Sequence, residues 1–294
     1  MRTRLLVTGA SGQLGGALAL LAPEAVVLGR AAMDFDRPQT IAPAFAAAAP
    51  GLVVNAAAYT RVDDAERERA AAFRANAEAP AILAGLCASA GVPFVHVSTD
   101  YVFDGSKGAP YRESDPPAPL GAYGASKRAG EEAVLACCPR AIILRTAWVY
   151  AAEGRNFLRT MLGAARRGVA LRVVADQRGS PTYAPDLAAA ILAIAARIEA
   201  GGWQDRFAGI THATGAGETT WHGFAEAIFA EAARYGFPPT PVTPIATVDW
   251  PTPTRRPADS RLDCTRLREV FGLRLPDWRA ALARAMAALF AAPV

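Results

Sequence analysis

The chain of 294 residues has room for one large α/β domain or two unequal ones, and 52% hydrophobic with 20% charged residues is an ordinary soluble, globular balance. A net charge of +4 suits an anionic ligand, but with no Lys/Arg tract and no aromatic–basic interleaving it argues against a nucleic-acid partner. No stretch approaches the ~18 strongly apolar residues of a membrane span, and the opening "MRTRLLVTGASG" is too poor in them for a signal peptide, so no membrane partner and a cytoplasmic location are expected.

"RLLVTG" (4–9) reads as a buried strand, followed by a helix through "LGGALALLA". "AVVLG" (25–29) is a second strand, "QTIAPAFAAAA" a helix in spite of Pro43, and "LVVNAAAY" (52–59) a third strand. A helical stretch at about 66–90 leads to the strand "VPFVHVSTD" (92–100), and the helix "AYGASKRAGEEAVLA" leads to "AIILRT" (141–146). Continuous apolar strands separated by helix-length segments imply a parallel sheet covered on both faces, hence a doubly wound, Rossmann-like α/β fold.

After Trp148 the rhythm loosens. A helix at about 156–167 and a strand at "LRVVAD" precede the loop "QRGSPTYAP" and a helix at 186–199. Segment 236–260 is too rich in Pro for a central strand, and helical patterns resume at 263–271 and 277–290. The expected organisation is a dinucleotide-binding domain over 1–150, with 183–200 returning to it, and a smaller C-terminal substrate-binding domain mainly over 151–294. Cys87, Cys137, Cys138 and Cys264 form no C-x-x-C, and no His stands at zinc-ligand spacing, so no metal is expected. His96, inside the apolar run "PFVHVST", reads as a core or sheet-end histidine.

The strand "RLLVTG" runs into "GASGQLG", which sets Gly9, Gly12 and Gly15 in a G-x-x-G-x-x-G frame between a strand and a helix. A dinucleotide pyrophosphate lies against backbone N–H groups at such a helix start, where side chains would hold it off. The second strand ends without the Asp or Glu that takes a ribose 2′-hydroxyl; Arg30 stands there and can pair with a 2′-phosphate, so NADPH is expected, with Asp34 keeping NADH possible. "NAAAYT" (55–60) ends the third strand in small residues that let a flat ring approach the backbone. The cofactor contacts expected are Gly9, Ser11, Gly12, Gln13, Leu14, Gly15, Arg30, Asp34, Phe35, Ala57, Ala58, Tyr59, Thr60, Tyr123 and Lys127.

Of 31 basic residues only Lys107 and Lys127 are Lys, and Lys127 follows Tyr123 by four, which puts both on one helix face. With seven Tyr in the chain, a chance Tyr-x-x-x-Lys is expected only ~0.05 times. An ammonium ~5 Å from a phenolate at an effective dielectric of ~20 is worth ~3 kcal/mol, roughly two pK units, enough to carry a phenol toward neutrality. Ser98 and Thr99, at the end of the preceding strand, supply a hydroxyl for a substrate oxygen. Thr99, Tyr123 and Lys127 thus form a proton-transfer site at the carboxyl edge of the sheet.

With these residues in view, the chain resembles an extended short-chain dehydrogenase/reductase and, over nearly its whole length, the dTDP-4-dehydrorhamnose reductase family. "VTGASGQLG", "VVNAAAYTRVDDAE", "HVSTDYVFDG", "YRESDPPAPLGAYGASKRAGE", "LRTAWVY", "NFLRTML", "DQRGSPTYAPDLA" and "RRPADSRLD" carry the likeness. The Gly frame and Tyr-x-x-x-Lys are shared by the whole superfamily; "STDYVFDG", "RTAWVY" and "DQRGSPT" are more specific. The resemblance implies hydride transfer to C4 of dTDP-4-dehydro-L-rhamnose, with Tyr123 giving the proton, Thr99 binding the ketone oxygen, and Lys127 holding the nicotinamide ribose. It places Thr99, Asp100 and Trp148 near the sugar, and makes Asn156, Gln177 and Arg256 contacts for the nucleotide diphosphate. Some relatives dimerise through a magnesium held by glutamates; "DWRAALARAMAALFAAPV" has no Glu, so a monomer or a homodimer built without metal is expected. Two rivals share the pattern. A nucleotide-sugar dehydratase or epimerase is one, although dehydratases carry Asp-Glu where this chain has Asp100-Tyr101. The other is a non-catalytic partner resembling the regulatory subunit of methionine adenosyltransferase.

Overall fold

The computed structural model describes residues 4–168 and 170–291. The first half is a strict alternation: β1 (Leu5–Thr8), α1 (Gln13–Leu21), β2 (Val26–Leu28), α2 (Ile41–Ala48), β3 (Leu52–Asn55), α3 (Arg69–Phe73), α4 (Ala79–Ala90), β4 (Phe94–Thr99), α5 (Ala122–Cys137) and β5 (Ala141–Thr146). Between α3 and α4 the expected continuous helix opens into a π-helical turn, Arg74–Glu78. Pro80, in the first turn of α4, has no N–H to continue an α-helical ladder, and the wider turn accommodates that gap.

The second half is less regular. It runs β6 (Val149–Tyr150), α6 (Phe157–Arg166), β7 (Leu171–Val174), β8 (Arg178–Gly179), β9 (Thr182–Tyr183), α7 (Ala184–Gly201), β10 (Gly209–His212), β11 (Thr219–Thr220), α8 (Trp221–Ala232), β12 (Val242–Ile245), α9 (Thr265–Phe271) and α10 (Trp278–Ala291). The Pro-rich segment contributes β12, which pairs only with β7; an edge position tolerates its Pro244.

The main sheet has the order β10-β5-β4-β3-β1-β2, and each neighbouring pair is parallel. One face is covered by α1, α7 and α9 through Leu14, Leu18, Ile191, Ile194, Leu267 and Phe271. The other is covered by α2, α4 and α5 through Ile41, Leu83, Cys87 and Val134. That two-sided cover explains why the strands are apolar throughout. The sheet also takes in β10 and α9, beyond residues 1–150 and 183–200. A separate apolar core joins α6, α8 and α10 around Leu158, Phe224, Trp278 and Met286, and forms the lobe.

The chain crosses from β2 back over β1 to reach β3, so the strand order reverses between β1 and β3. Ligands of such sheets lie outside the carboxyl ends of the strands at that reversal. The turns after β1 and β3 and the end of β4 meet there.

Candidate active site

The turn after β1 is built on glycine. Gly9 has φ +84°, and a Cβ on it would sit 2.8 Å from the Ala56 carbonyl carbon. A Cβ on Gly15 would stand 2.0 Å from the Gly9 carbonyl oxygen. The Gly9 N–H donates to Leu28 O at 3.0 Å and the Gly12 N–H to Gly9 O at 2.9 Å, which curls the loop over the start of α1. Gly12 caps α1 with no side-chain bond, so the first-turn N–H groups stay open toward an anion. Ser11 and Gly12 are exposed, and Ala57, Ala58, Tyr59 and Thr60 emerge beside them from β3. These residues fit a dinucleotide pyrophosphate.

Other members of the expected cofactor set are employed differently. Leu14 and Phe35 place their side chains in the two sheet cores, which leaves only their backbone for a ligand. Arg30 is exposed, and its guanidinium meets Asp34 at 3.2 Å and also pairs with Asp36. Asp34 is 6% exposed and accepts from Asp36 N–H and Arg37 as well, so its carboxylate organises its own loop and has little left for a ribose. Gln13 reaches across to the lobe, donating to Val149 O at 3.4 Å and accepting from Asn156 at 2.9 Å.

Thr99 ends β4, and Tyr123 and Lys127 lie one turn apart on α5, with Tyr123 hydrogen-bonded to Thr99. Thr99 donates to Asp100 Oδ1 at 3.0 Å and accepts the Tyr101 N–H at 3.2 Å. Tyr123 is 9% and Lys127 2% exposed. Burial pushes the Tyr123 phenol up from its ordinary range; a hydrogen bond with Thr99 opposes this, while Asp100 and Tyr101 add to it. Lys127 donates to Val97 O at 2.7 Å, and burial pulls its ammonium down to about 8 against the pull of Glu131. The expectation that Lys127 lowers the phenol is therefore corrected for this structure, because the ammonium is committed to a strand carbonyl and desolvation governs the phenol. Asp100, 1% exposed, is raised by burial to about 6, and its Oδ2 lacks a hydrogen-bond partner.

Ser98 turns out of the site: strand alternation sends its hydroxyl to Glu131 Oε1 at 2.5 Å. His96 is fully buried, bonded through Nδ1 to Asn55 at 2.9 Å, and held neutral by burial, with Lys127 adding to the shift.

On the lobe side, Trp148 has φ +47°, a strained conformation for a bulky residue. Its indole stacks on Trp221 at 3.6 Å with an interplanar angle of 7°. It also lies over Gly179, where a Cβ would come within 2.4 Å of the ring. Asn156 caps α6 and spends its amide on Gln13, Ala151 O and Glu153 O. Gln177 donates to Thr247 at 3.1 Å. Arg256 donates to Tyr101 Oη at 3.0 Å and to Asp63 at 2.7 Å, while Tyr101 meets Tyr123 edge-on with ring centroids 5.7 Å apart.

Two contributors escaped the sequence reading. Asn76, in the π-helical turn, accepts the Tyr59 N–H at 2.8 Å and donates to Tyr59 O and to Ser126, which pins the loop after β3 to α5. Trp221 backs Trp148 from 73 positions away, and only its place after the cap Thr220 marks it in sequence.

This sheet, glycine turn and buried Tyr-Lys helix together define a class, the extended short-chain dehydrogenases/reductases. Residues 3–290 match the family described as RmlD substrate binding domain, and the chain belongs to that family. It is 48% identical over 289 residues to a dTDP-4-dehydrorhamnose reductase of Burkholderia thailandensis, covering 95% of this chain and 96% of that one. It is 45% identical over 294 residues to a probable dTDP-4,6-dihydroxy-2-methyloxan-3-one 4-ketoreductase of Streptomyces antibioticus, covering 98% and 96%. Among solved structures, a dTDP-4-dehydrorhamnose reductase from Clostridium acetobutylicum aligns with TM-score 0.89 at 34% identity over 97% of this chain and 99% of that one. One from Bacillus anthracis, in complex with NADP, aligns with TM-score 0.87 at 32% identity over 98% and 99%.

Proposed function

We propose that the chain reduces the C4 ketone of dTDP-4-dehydro-L-rhamnose to dTDP-L-rhamnose with NADPH. The observation that carries this reading is a buried phenol, Tyr123, hydrogen-bonded to Thr99 at the carboxyl end of β4. A reductase needs a proton donor at that place. The reduced nicotinamide, when bound, supplies the hydride. The Tyr123 O–H gives its proton to the ketone oxygen as the C–O double bond becomes a C–O single bond, so ketone, hydride and proton add up to the alcohol. Thr99 exchanges its bond to Asp100 for the substrate oxygen and orients it. Lys127, one helical turn along α5, would hold the nicotinamide ribose with its ammonium.

Trp148 offers the sugar a flat wall stiffened by Trp221. Arg256 can turn from Asp63 to a phosphate, a bidentate exchange that a guanidinium suits. Dehydration is less well supported, because Tyr101 follows Asp100 where elimination calls for a carboxylate. The relative named a probable 4-ketoreductase favours a second reading of the same site, with a different dTDP-linked 4-keto sugar as substrate. We propose a monomer, or a homodimer built without metal, in the cytoplasm. Among the described residues no helix is long and apolar enough to cross a membrane.

The test is NADPH oxidation by the purified protein with each of the two keto sugars, the product identified by NMR. Faster turnover of dTDP-4-dehydro-L-rhamnose supports the first reading. Faster turnover of the other sugar supports the second. NADPH binding with neither sugar reduced contradicts both.

A further inference from the structure

Tyr123, Lys127 and Glu131 are spaced four and four along α5 and form one stripe facing β4 and β5. Glu131 is 2% exposed. Its Oε1 accepts from Ser98 Oγ at 2.5 Å and from Arg145 Nε at 2.8 Å, and its Oε2 accepts from Arg145 Nη2 at 2.6 Å. Ser98 and Arg145 are register partners across β4 and β5, so one carboxylate ties the helix that carries Tyr123 and Lys127 to the strand that carries Thr99. A surface helix would not bury such a triad at the cost of desolvating both charges. The ammonium that needs compensation is one turn away: Lys127 is bonded to Val97 O, a neutral acceptor on the residue before Ser98.

We propose that Glu131 is a positioning residue of the reductase, whose buried carboxylate, clamped by Ser98 and Arg145, keeps Lys127 charged and seated against β4. Two titratable groups act on Lys127: His96 on β4, neutral and fully buried, and Glu131 on α5, itself paired with Arg145 of β5. The π-helical turn packed on α5 presents the uncharged Asn76. Burial brings the ammonium down to about 8, and Glu131 is the group that pushes it back up. Without that carboxylate Lys127 sheds its proton at a lower pH.

This inference rests on the reductase reading, so turnover of the parent is measured first, and NADPH affinity is titrated against pH by fluorescence as a readout that needs no turnover. In Glu131→Gln the basic limb of both profiles moves down by about one pH unit, and the parent-to-variant ratio of kcat/KM grows about sixfold between about pH 6.5 and about pH 8.5. Glu131→Asp keeps the charge and keeps the parent limb. Because Glu131→Gln leaves Arg145 buried and unpaired, Glu131→Gln/Arg145→Gln, which removes both charges, is measured beside it, and a smaller shift in the same direction is expected. A loss uniform across pH, in whichever of these glutamine variants folds, would overturn the proposal and leave Glu131 a purely structural brace. A parent that binds NADPH without turnover would count against the reductase reading alone, while the affinity profiles still decide the role of Glu131.

Discussion

The two sides of the cleft keep their polar groups in different states. On the sheet side, Thr99, Tyr123 and Lys127 sit on a regular strand and helix, buried and aimed at the carboxyl edge, and Asp100 Oδ2 has no partner. On the lobe side, Asn156, Gln177 and Arg256 already hold Gln13, Thr247 and Asp63. The chemistry is therefore pre-set by elements that cannot shift without unfolding the sheet. Substrate recognition, in contrast, must exchange one set of hydrogen bonds for another. Such exchange weakens affinity, but it lets the lobe discriminate between ligands.

The largest effect should come from the sheet side. Lys127→Met is expected to lower kcat about 10²–10⁴-fold, read from steady-state NADPH oxidation. The same variant tests a linkage. The parent ammonium is at about 8 folded and 10.5 unfolded, so between those values the unfolded chain binds more protons and stability rises with pH. Thermal midpoints measured across that window should climb in the parent relative to Lys127→Met; parallel curves would show the buried amine to be unperturbed.

In the lobe core, Phe224 is fully exposed to neighbours and not at all to solvent, and Phe224→Ala should cost about 3–5 kcal/mol in urea unfolding. Loss of substrate binding at a protein concentration and temperature where NADPH still binds would sharpen the contrast between the two sides.

A smaller effect is expected at Arg256. Arg256→Lys should raise KM about tenfold with little change in kcat, because it loses a bidentate grip worth about 1–2 kcal/mol. A fall in kcat with KM unmoved would show that its bond to Tyr101 serves the chemistry instead. The smallest is at Arg30, whose side chain is exposed and shared between two carboxylates; Arg30→Ala should shift the NADPH-to-NADH preference by less than about fivefold.

Much of the sheet side was legible because local patterns determine it. "AIILRT" matches β5 residue for residue, since a strand buried on both faces is written as an unbroken apolar run. "LVVNAAAY" was read four residues too long, because small residues that leave a strand to line a ligand edge look like strand continuation. β10, with only Gly-Ile-Thr-His, was too short and too polar to stand out, and α8 went unread beside it. The rare Lys127 marked the site, but the direction of its ammonium did not show in the spacing. Its partner, a strand carbonyl, is set by how α5 lies on β4. The lobe was harder still, because Asn76 with Tyr59 and Trp148 with Trp221 are long-range contacts with no periodic trace.

The central claim is that Tyr123, a buried phenol hydrogen-bonded to Thr99, is the proton donor. The most direct measurement compares the parent with Tyr123→Phe in rapid-mixing single turnovers, with NADPH and dTDP-4-dehydro-L-rhamnose at saturation. The account predicts a rate lower by about 10²–10⁴-fold with NADPH affinity within about twofold of the parent. A variant that turns over at the parent rate would place the donor elsewhere and contradict it.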